Sequence, residues 1–236
     1  NGELGLVLDI PIDAAERTAV RGRLALAGND LRWTPSLPLL ANARARIEFS
    51  DKGLSIAAAS ARVLGGDANF EGGMQPDGTL RLNVQGVASA EALRRSTELG
   101  ASSRLAAAMS GQAPYRLALA IVRGHTDLTL TSSLAGLALD LPAPLKKAAE
   151  GAWPLRLETR LVATPGEGPR RDNLRIELGN VLQAQYLRDL SGEAPKVIRG
   201  AIAVLDTLPP LPDSGVHAVL NLPAVDADAW QAVAER

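Results

Sequence analysis

Aliphatic residues recur at every second position through most of this chain, and that period restricts its fold more than any other feature. Leu4, Leu6, Leu8 and Ile10 alternate with Gly5, Val7 and Asp9, and Leu80, Leu82 and Val84 alternate with Arg81, Asn83 and Gln85. The rhythm returns at Leu117, Leu119 and Ile121, at Leu128 and Leu130, at Leu155 and Leu157, at Leu174, Ile176 and Leu178, and at Val216, Ala218, Leu220 and Leu222. In a strand, successive side chains point to opposite faces, so each stretch gives one aliphatic and one polar face. Burial of one face only is the mark of antiparallel sheet, because parallel strands covered on both sides read as continuous apolar runs.

Turn residues agree with this reading. Gly28-Asn29-Asp30, Asp51-Lys52-Gly53, Gly65-Gly66, Gly72-Gly73 and Pro76-Asp77-Gly78 separate the strand patterns. These residue types tolerate the positive φ of tight hairpins, and their close spacing predicts a meander of short strands. Helical patterns are few: Ser89 to about Met109 with a break near Gly100, Pro144 to about Glu150, and a third opening at Asp226. Ser89 and Asp226 are the expected N-caps. The stretches Val87–Arg94 and Ala224–Gln231 align, each following a strand. They point to a repeated sheet-plus-helix unit, with subunits over residues 1–110 and 111–236 of one continuous segment. Thr164–Arg171 and Asp206–Gly215 read as long connections within one sheet.

The aliphatic face needs a cover. The alternating stretches present roughly two dozen Leu, Ile and Val side chains, each worth about 1.5–3 kcal/mol on burial. Their sum exceeds the net stability of a domain, roughly 5–15 kcal/mol. The helices are too short and Ala-rich to hide it all. Either a second sheet layer closes a sandwich, or the sheet curls into a trough that an apolar ligand completes.

Little in the sequence suggests bond-making chemistry. There is no cysteine, which removes disulfides, Cys-ligated metals and thiol catalysis. The two histidines, His125 and His217, stand apart at strand positions, and no nucleophile, P-loop, dinucleotide or zinc motif occurs. Acidic residues near turns, Glu48, Asp51, Asp67, Glu71 and Asp77, lack a calcium-loop spacing. A net charge of -1 and 3% aromatic residues argue against nucleic-acid binding. Trp33, Trp153 and Trp230 are dispersed, and Arg94-Arg95 and Lys146-Lys147 read as solvated helix faces. No run approaches the roughly 18 apolar residues of a membrane span. Residue 1 is Asn, with no signal sequence after it, so the chain reads as a piece of something longer. No cofactor and no enzyme activity are expected.

Several stretches together resemble a known family. They are Ile47–Leu54; Ala61–Gly66 followed by Gly72 and Pro76-Asp77-Gly78; Gly86–Arg94; Thr131–Leu137 followed by Leu141–Lys147; and Asp213–His217 running into Val225–Trp230. In this order the chain resembles the central region of YhdP proteins, part of the AsmA-like group that includes TamB. The Ser-Leu-Ala-Gly stretch followed by Leu-Pro-Ala-Pro-Leu-Lys is its most specific part.

The resemblance implies an inner-membrane-anchored protein of Gram-negative bacteria whose bulk forms a long, curled β-trough in the periplasm. Such a protein would pass phospholipids between the inner and outer membranes along an apolar groove, without catalysis. Its partners here would be phospholipid acyl chains, with membrane contact left to parts outside this chain. The functional unit would be the aliphatic face, represented by Leu80, Leu82, Val84, Leu117, Leu119, Leu155 and Leu157. The alternative is a structural or interaction module, a β-sandwich with a dry core. Exposed strand edges would favour self-association in either case.

Overall fold

A computed structural model of the chain describes residues 2–9, 19–32, 37–51, 53–96, 105–122, 125–162, 170–192 and 194–234. Ile10, Trp33, Lys52, the expected break at Gly100 and most of the expected Thr164–Arg171 loop lie outside them. The strands are β1 (Gly2–Asp9), β2 (Ala19–Leu31), β3 (Leu40–Ser50), β4 (Gly53–Val63), β5 (Gly66–Met74), β6 (Leu80–Ser89) and β7 (Met109–Val122). They continue as β8 (His125–Ser132), β9 (Leu137–Leu139), β10 (Leu155–Val162), β11 (Arg171–Leu178), β12 (Leu182–Asp189), β13 (Lys196–Val204) and β14 (Gly215–Leu220). Helix α1 (Ala90–Arg95) follows β6 and helix α2 (Ala227–Ala234) follows β14.

Strand order in the sheet is the order of the sequence, with only β9 off the path, where it pairs with the start of β7. The sheet is not closed: β1 and β14 are its two edges, and it forms a curled trough. Every neighbouring pair is antiparallel except the last. β13 and β14 run parallel, from Arg199 opposite Gly215 to Val204 opposite Leu220. A parallel return needs a crossover, and the expected loop supplies it in Pro-rich form, with Pro209, Pro210 and Pro212. Ala201 and Ala203 of β13, on the polar face, are fully buried.

The register aligns the alternating residues strand after strand. One rung runs Leu4, Leu24, Ile47, Ile56, Gly72, Leu82, Leu119 and Leu128. Another runs Phe70, Val84, Leu117, Leu130, Leu157, Ile176, Ala184, Ile202 and Ala218. The opposite face carries the ion pairs Arg23–Glu48 at 3.2 Å, Arg156–Glu158 at 3.1 Å and Arg175–Glu177 at 2.8 Å.

One layer makes almost no deep core. Every completely enclosed side chain among the described residues is an alanine. The surface is 15199 Å², about half again the roughly 10,000 Å² of a compact monomer of this mass. A small cluster of Ala43, Ala61, Val63, Ala68 and Val84 lies against Phe70, Tyr115 and Leu117. A second, Ala90, Ala113, Leu137 and Leu139 with Met109, Leu134 and Trp153, caps the rim where β6 ends and β7 begins.

Two of the three expected helices differ from the sequence reading. Of the first, Ala90–Arg95 is helical up to Ser96, whose amide closes on the Ala92 carbonyl at 3.1 Å. Residues 97–104 lie outside the described residues, Leu105 is helical, Ala106–Ala108 is a 3-10 turn and Met109 already belongs to β7. Pairing of Met109–Gly111 with β9 overrides the helix preference of the alanines there. Pro144–Glu150 forms no helix, because Lys147 bridges Leu139 through two backbone hydrogen bonds of 2.8 and 3.0 Å. The third stands as expected. Asp226 Oδ1 accepts from the Ala229 amide at 2.9 Å, as Ser89 Oγ accepts from that of Ala92 at 3.2 Å.

Aromatic rings on the apolar face lie over cross-strand glycines. Phe49 faces Gly22, Tyr115 faces Gly86 and Tyr186 faces Gly200. A Cβ at Gly22 would stand 2.2 Å from the Phe49 ring, and one at Gly200 would stand 2.4 Å from that of Tyr186. The rings fill glycine notches and so lie low over the sheet. Gly200→Val is therefore expected to destabilise the fold by about 1–3 kcal/mol in urea denaturation. Gly5→Val, whose Cβ meets nothing within 4 Å, is expected to change it by less than about 0.5 kcal/mol.

Candidate functional site

The seven residues expected to line a groove all lie on the apolar face. Leu82 pairs with Leu119 and Val84 with Leu117 across β6 and β7, and Leu80 faces Ile121. Leu117 continues through Leu130 of β8 to Leu157 of β10, and Leu155 sits opposite Ser132 on the next rung. Val84 is buried, and the other six are half-buried. A half-buried leucine in the middle of a sheet has strand neighbours on both sides but no second layer above it.

The face reaches well beyond those seven. It includes Phe49, Phe70, Tyr115 and Tyr186, each in phase with the aliphatic residues two positions away, so that parity alone could have assigned them. Burial pushes the phenols of Tyr115 and Tyr186 up from their ordinary range, which keeps both neutral. A recess of about 750 Å³ lies at the β1–β5 end. Leu6, Gly22, Phe49, Leu54 and Met74 border it on the apolar side, and none of the seven expected residues does.

Two charged features interrupt the apolar surroundings. Asp172 and Arg188 are direct cross-strand partners on the apolar face, joined by Arg188 Nε to Asp172 Oδ1 at 2.9 Å and Nη2 to Oδ2 at 2.5 Å. The sequence reading passed over them, although Asp172 stands two residues before Leu174 and Arg188 two after Tyr186. Lys147 is the other. Expected on a solvated helix face, it is buried in the rim cap, with Nζ donating to the carbonyls of Leu134 at 2.8 Å, Leu137 at 2.6 Å and Ala148 at 3.0 Å. Burial lowers its pKa from the ordinary lysine value, while the Glu150 charge raises it. Its partner in the expected pair, Lys146, stays exposed 4.0 Å from Asp140.

Among the described residues no catalytic geometry is found. His217 lies exposed on the polar face of β14, opposite Ala201. No group of three or more His, Asp or Glu among the described residues could hold a metal, and no described helix is long and apolar enough to cross a membrane.

Fold and face together define a class of protein: an open β-trough whose aliphatic face is covered by no second layer among the described residues. Within that class, the chain belongs to the YhdP family, whose model, described as YhdP protein, matches residues 1–236. No curated protein and no solved structure matches it. Membership of this AsmA-like family suggests an envelope protein, and the family is not known as one of enzymes.

Lys147 holds the rim cap to three carbonyls. Lys147→Met keeps the aliphatic stem and removes the donor, and is expected to cost about 1–3 kcal/mol by leaving those carbonyls short of a partner. Urea denaturation checks the value, and protease cleavage within 133–154 should rise with it.

Proposed function

We propose that this chain is a non-enzymatic segment of a periplasm-spanning protein that conducts phospholipids between the inner and outer membranes along its apolar face. The whole protein, in this reading, is anchored in the inner membrane of a Gram-negative bacterium, and this part lies in the periplasm. One observation carries the reading: overlapping aliphatic rungs together cross the sheet from β1 to β14, and the described residues form no second layer over them. An acyl chain on this face regains about 0.8 kcal/mol for each methylene it hides from water. Leu, Ile, Val and Ala offer no hydrogen bonds that would fix a lipid at one position, so a chain can slide from rung to rung. The rings over Gly22, Gly86 and Gly200 lie low and leave the way clear.

A dry-core sandwich needs a second sheet layer, which the described residues do not form. Organic extraction and mass spectrometry of the full-length protein, purified without added lipid, provide the test. Phospholipid should co-purify, and Leu117→Glu with Leu157→Glu should reduce the amount recovered severalfold by charging a central rung. Absence of phospholipid from the unaltered protein would overturn the proposal.

A further inference from the structure

The two sides of the trough differ around β10–β13, and the difference assigns an orientation to its ligand. Asp172 and Arg188 take the places of a cross-strand aliphatic pair, level with Leu161 of β10. Their side chains are 8% and 19% exposed, so the pair is largely removed from water, with Arg188 the more accessible of the two. Stability does not call for it. Exchanging such a pair for apolar residues of similar volume is often neutral or stabilising, and apolar neighbours already surround it. A guanidinium has five N–H donors in a planar fork, of which Asp172 takes two. Planar recognition of phosphate is what such a fork does well.

At the other end of the same strands the rung carries no charged residue, although it includes the hydroxyls of Tyr115 and Ser132, and Lys147 lies buried in the cap beyond it with its Nζ held by three carbonyls. The rung there is Tyr115, Ser132, Leu155, Leu178, Leu182 and Val204, and the cap of Ala90, Ala113, Leu137, Leu139 and Trp153 rises beyond its β7 end. From Arg188 to Leu182 is six residues of β12, about 20 Å at strand rise. Half of a bilayer's hydrocarbon core, the reach of one acyl layer, is about 15 Å. The strip between the ion pair and the far rung therefore fits one layer of acyl chains.

Resting on the conduit reading, we propose that a phospholipid lies across the trough at β10–β13 with its phosphate at Asp172–Arg188 and its acyl chains extended over Leu174, Ile176 and Ala184 toward Leu178 and Leu182. Arg188 meets the phosphate, and Asp172 keeps the guanidinium in place and faces any amine of the headgroup. The pair is then a fixed polar edge that keeps lipids in one orientation as they move.

Photo-crosslinking of the full-length protein with two phosphatidylethanolamine probes tests this, one carrying a diazirine in the headgroup and the other at the acyl terminus. Headgroup crosslinks are expected in residues 170–173 and 186–190, and acyl-terminal crosslinks around Leu178, Leu182 and Val204. Asp172→Leu with Arg188→Leu should cut the headgroup crosslinks about tenfold, the equivalent of roughly 1.4 kcal/mol. The acyl-terminal crosslinks and the β-sheet circular dichroism should persist. Identical or reversed maps for the two probes, or headgroup crosslinks unchanged in the double variant, would overturn the orientation while leaving the conduit standing. Failure of both probes to reach the apolar face would overturn the conduit reading itself.

Discussion

Hydrogen bonding between neighbouring strands, in an unbroken ladder from β1 to β14, is the interaction on which the rest of this structure depends. Among the described residues no second layer packs against the apolar face, so the usual deep core is not formed there and only alanines are fully enclosed. Side-chain stabilisation comes instead from cross-strand neighbours such as Leu82–Leu119, Val84–Leu117 and Leu157–Ile176. Register is consequently strict, because a slip by one residue would turn the aliphatic rungs onto the polar face. The same economy leaves the edges exposed: Leu4, Leu6 and Leu8 on β1, and Val216 and Leu220 on β14, all remain more than half accessible. Open edges of this kind invite further strand pairing.

Much of the fold was legible because period two is a direct readout of sheet geometry. Each stretch of alternating aliphatics became a strand, but only three of the five turn clusters fell between strands: Gly28-Asn29-Asp30 lies inside β2, at register shifts against β3, and Gly72-Gly73 lies inside β5, paired with β4 and β6. The caps at Ser89 and Asp226 were legible as well, since a side chain accepting from the third residue on is a local event. What escaped was decided by partners distant in sequence. Met109–Gly111 was drawn into pairing with β9, Lys147 was drawn into a bridge with Leu139, and neither contact leaves a local signature. The parallel return of β14 escaped for a related reason: a Pro-rich connection shows length but not which end of the sheet it reaches.

The seven expected lining residues share one face because parity placed them there, yet the polar edge on that face was overlooked. Asp172 and Arg188 look like ordinary surface charges until the register shows them in phase with Leu174 and Tyr186. Lys147 likewise changed meaning once its three carbonyl partners were seen. Physically, the trough has an apolar floor with low-lying rings, a capped rim near α1 and a charged edge at β11–β12. Such a surface needs no reactive group to act on an amphiphile; it has only to offer aliphatic area in one continuous, oriented strip.

The central claim is that the aliphatic face stands uncovered, and the cysteine-free sequence allows a direct measurement of it. Single cysteines at Leu82, Leu117 and Leu157 on the apolar face, and at Asn83 and Ala118 on the polar face, would be labelled with an apolar maleimide in delipidated full-length protein. Comparable labelling rates on the two faces, with the apolar-face sites slowed when phospholipid is restored, are the expected result. Protection of Leu82, Leu117 and Leu157 in the delipidated protein, with Asn83 and Ala118 still reactive, would show a covered core and contradict the account.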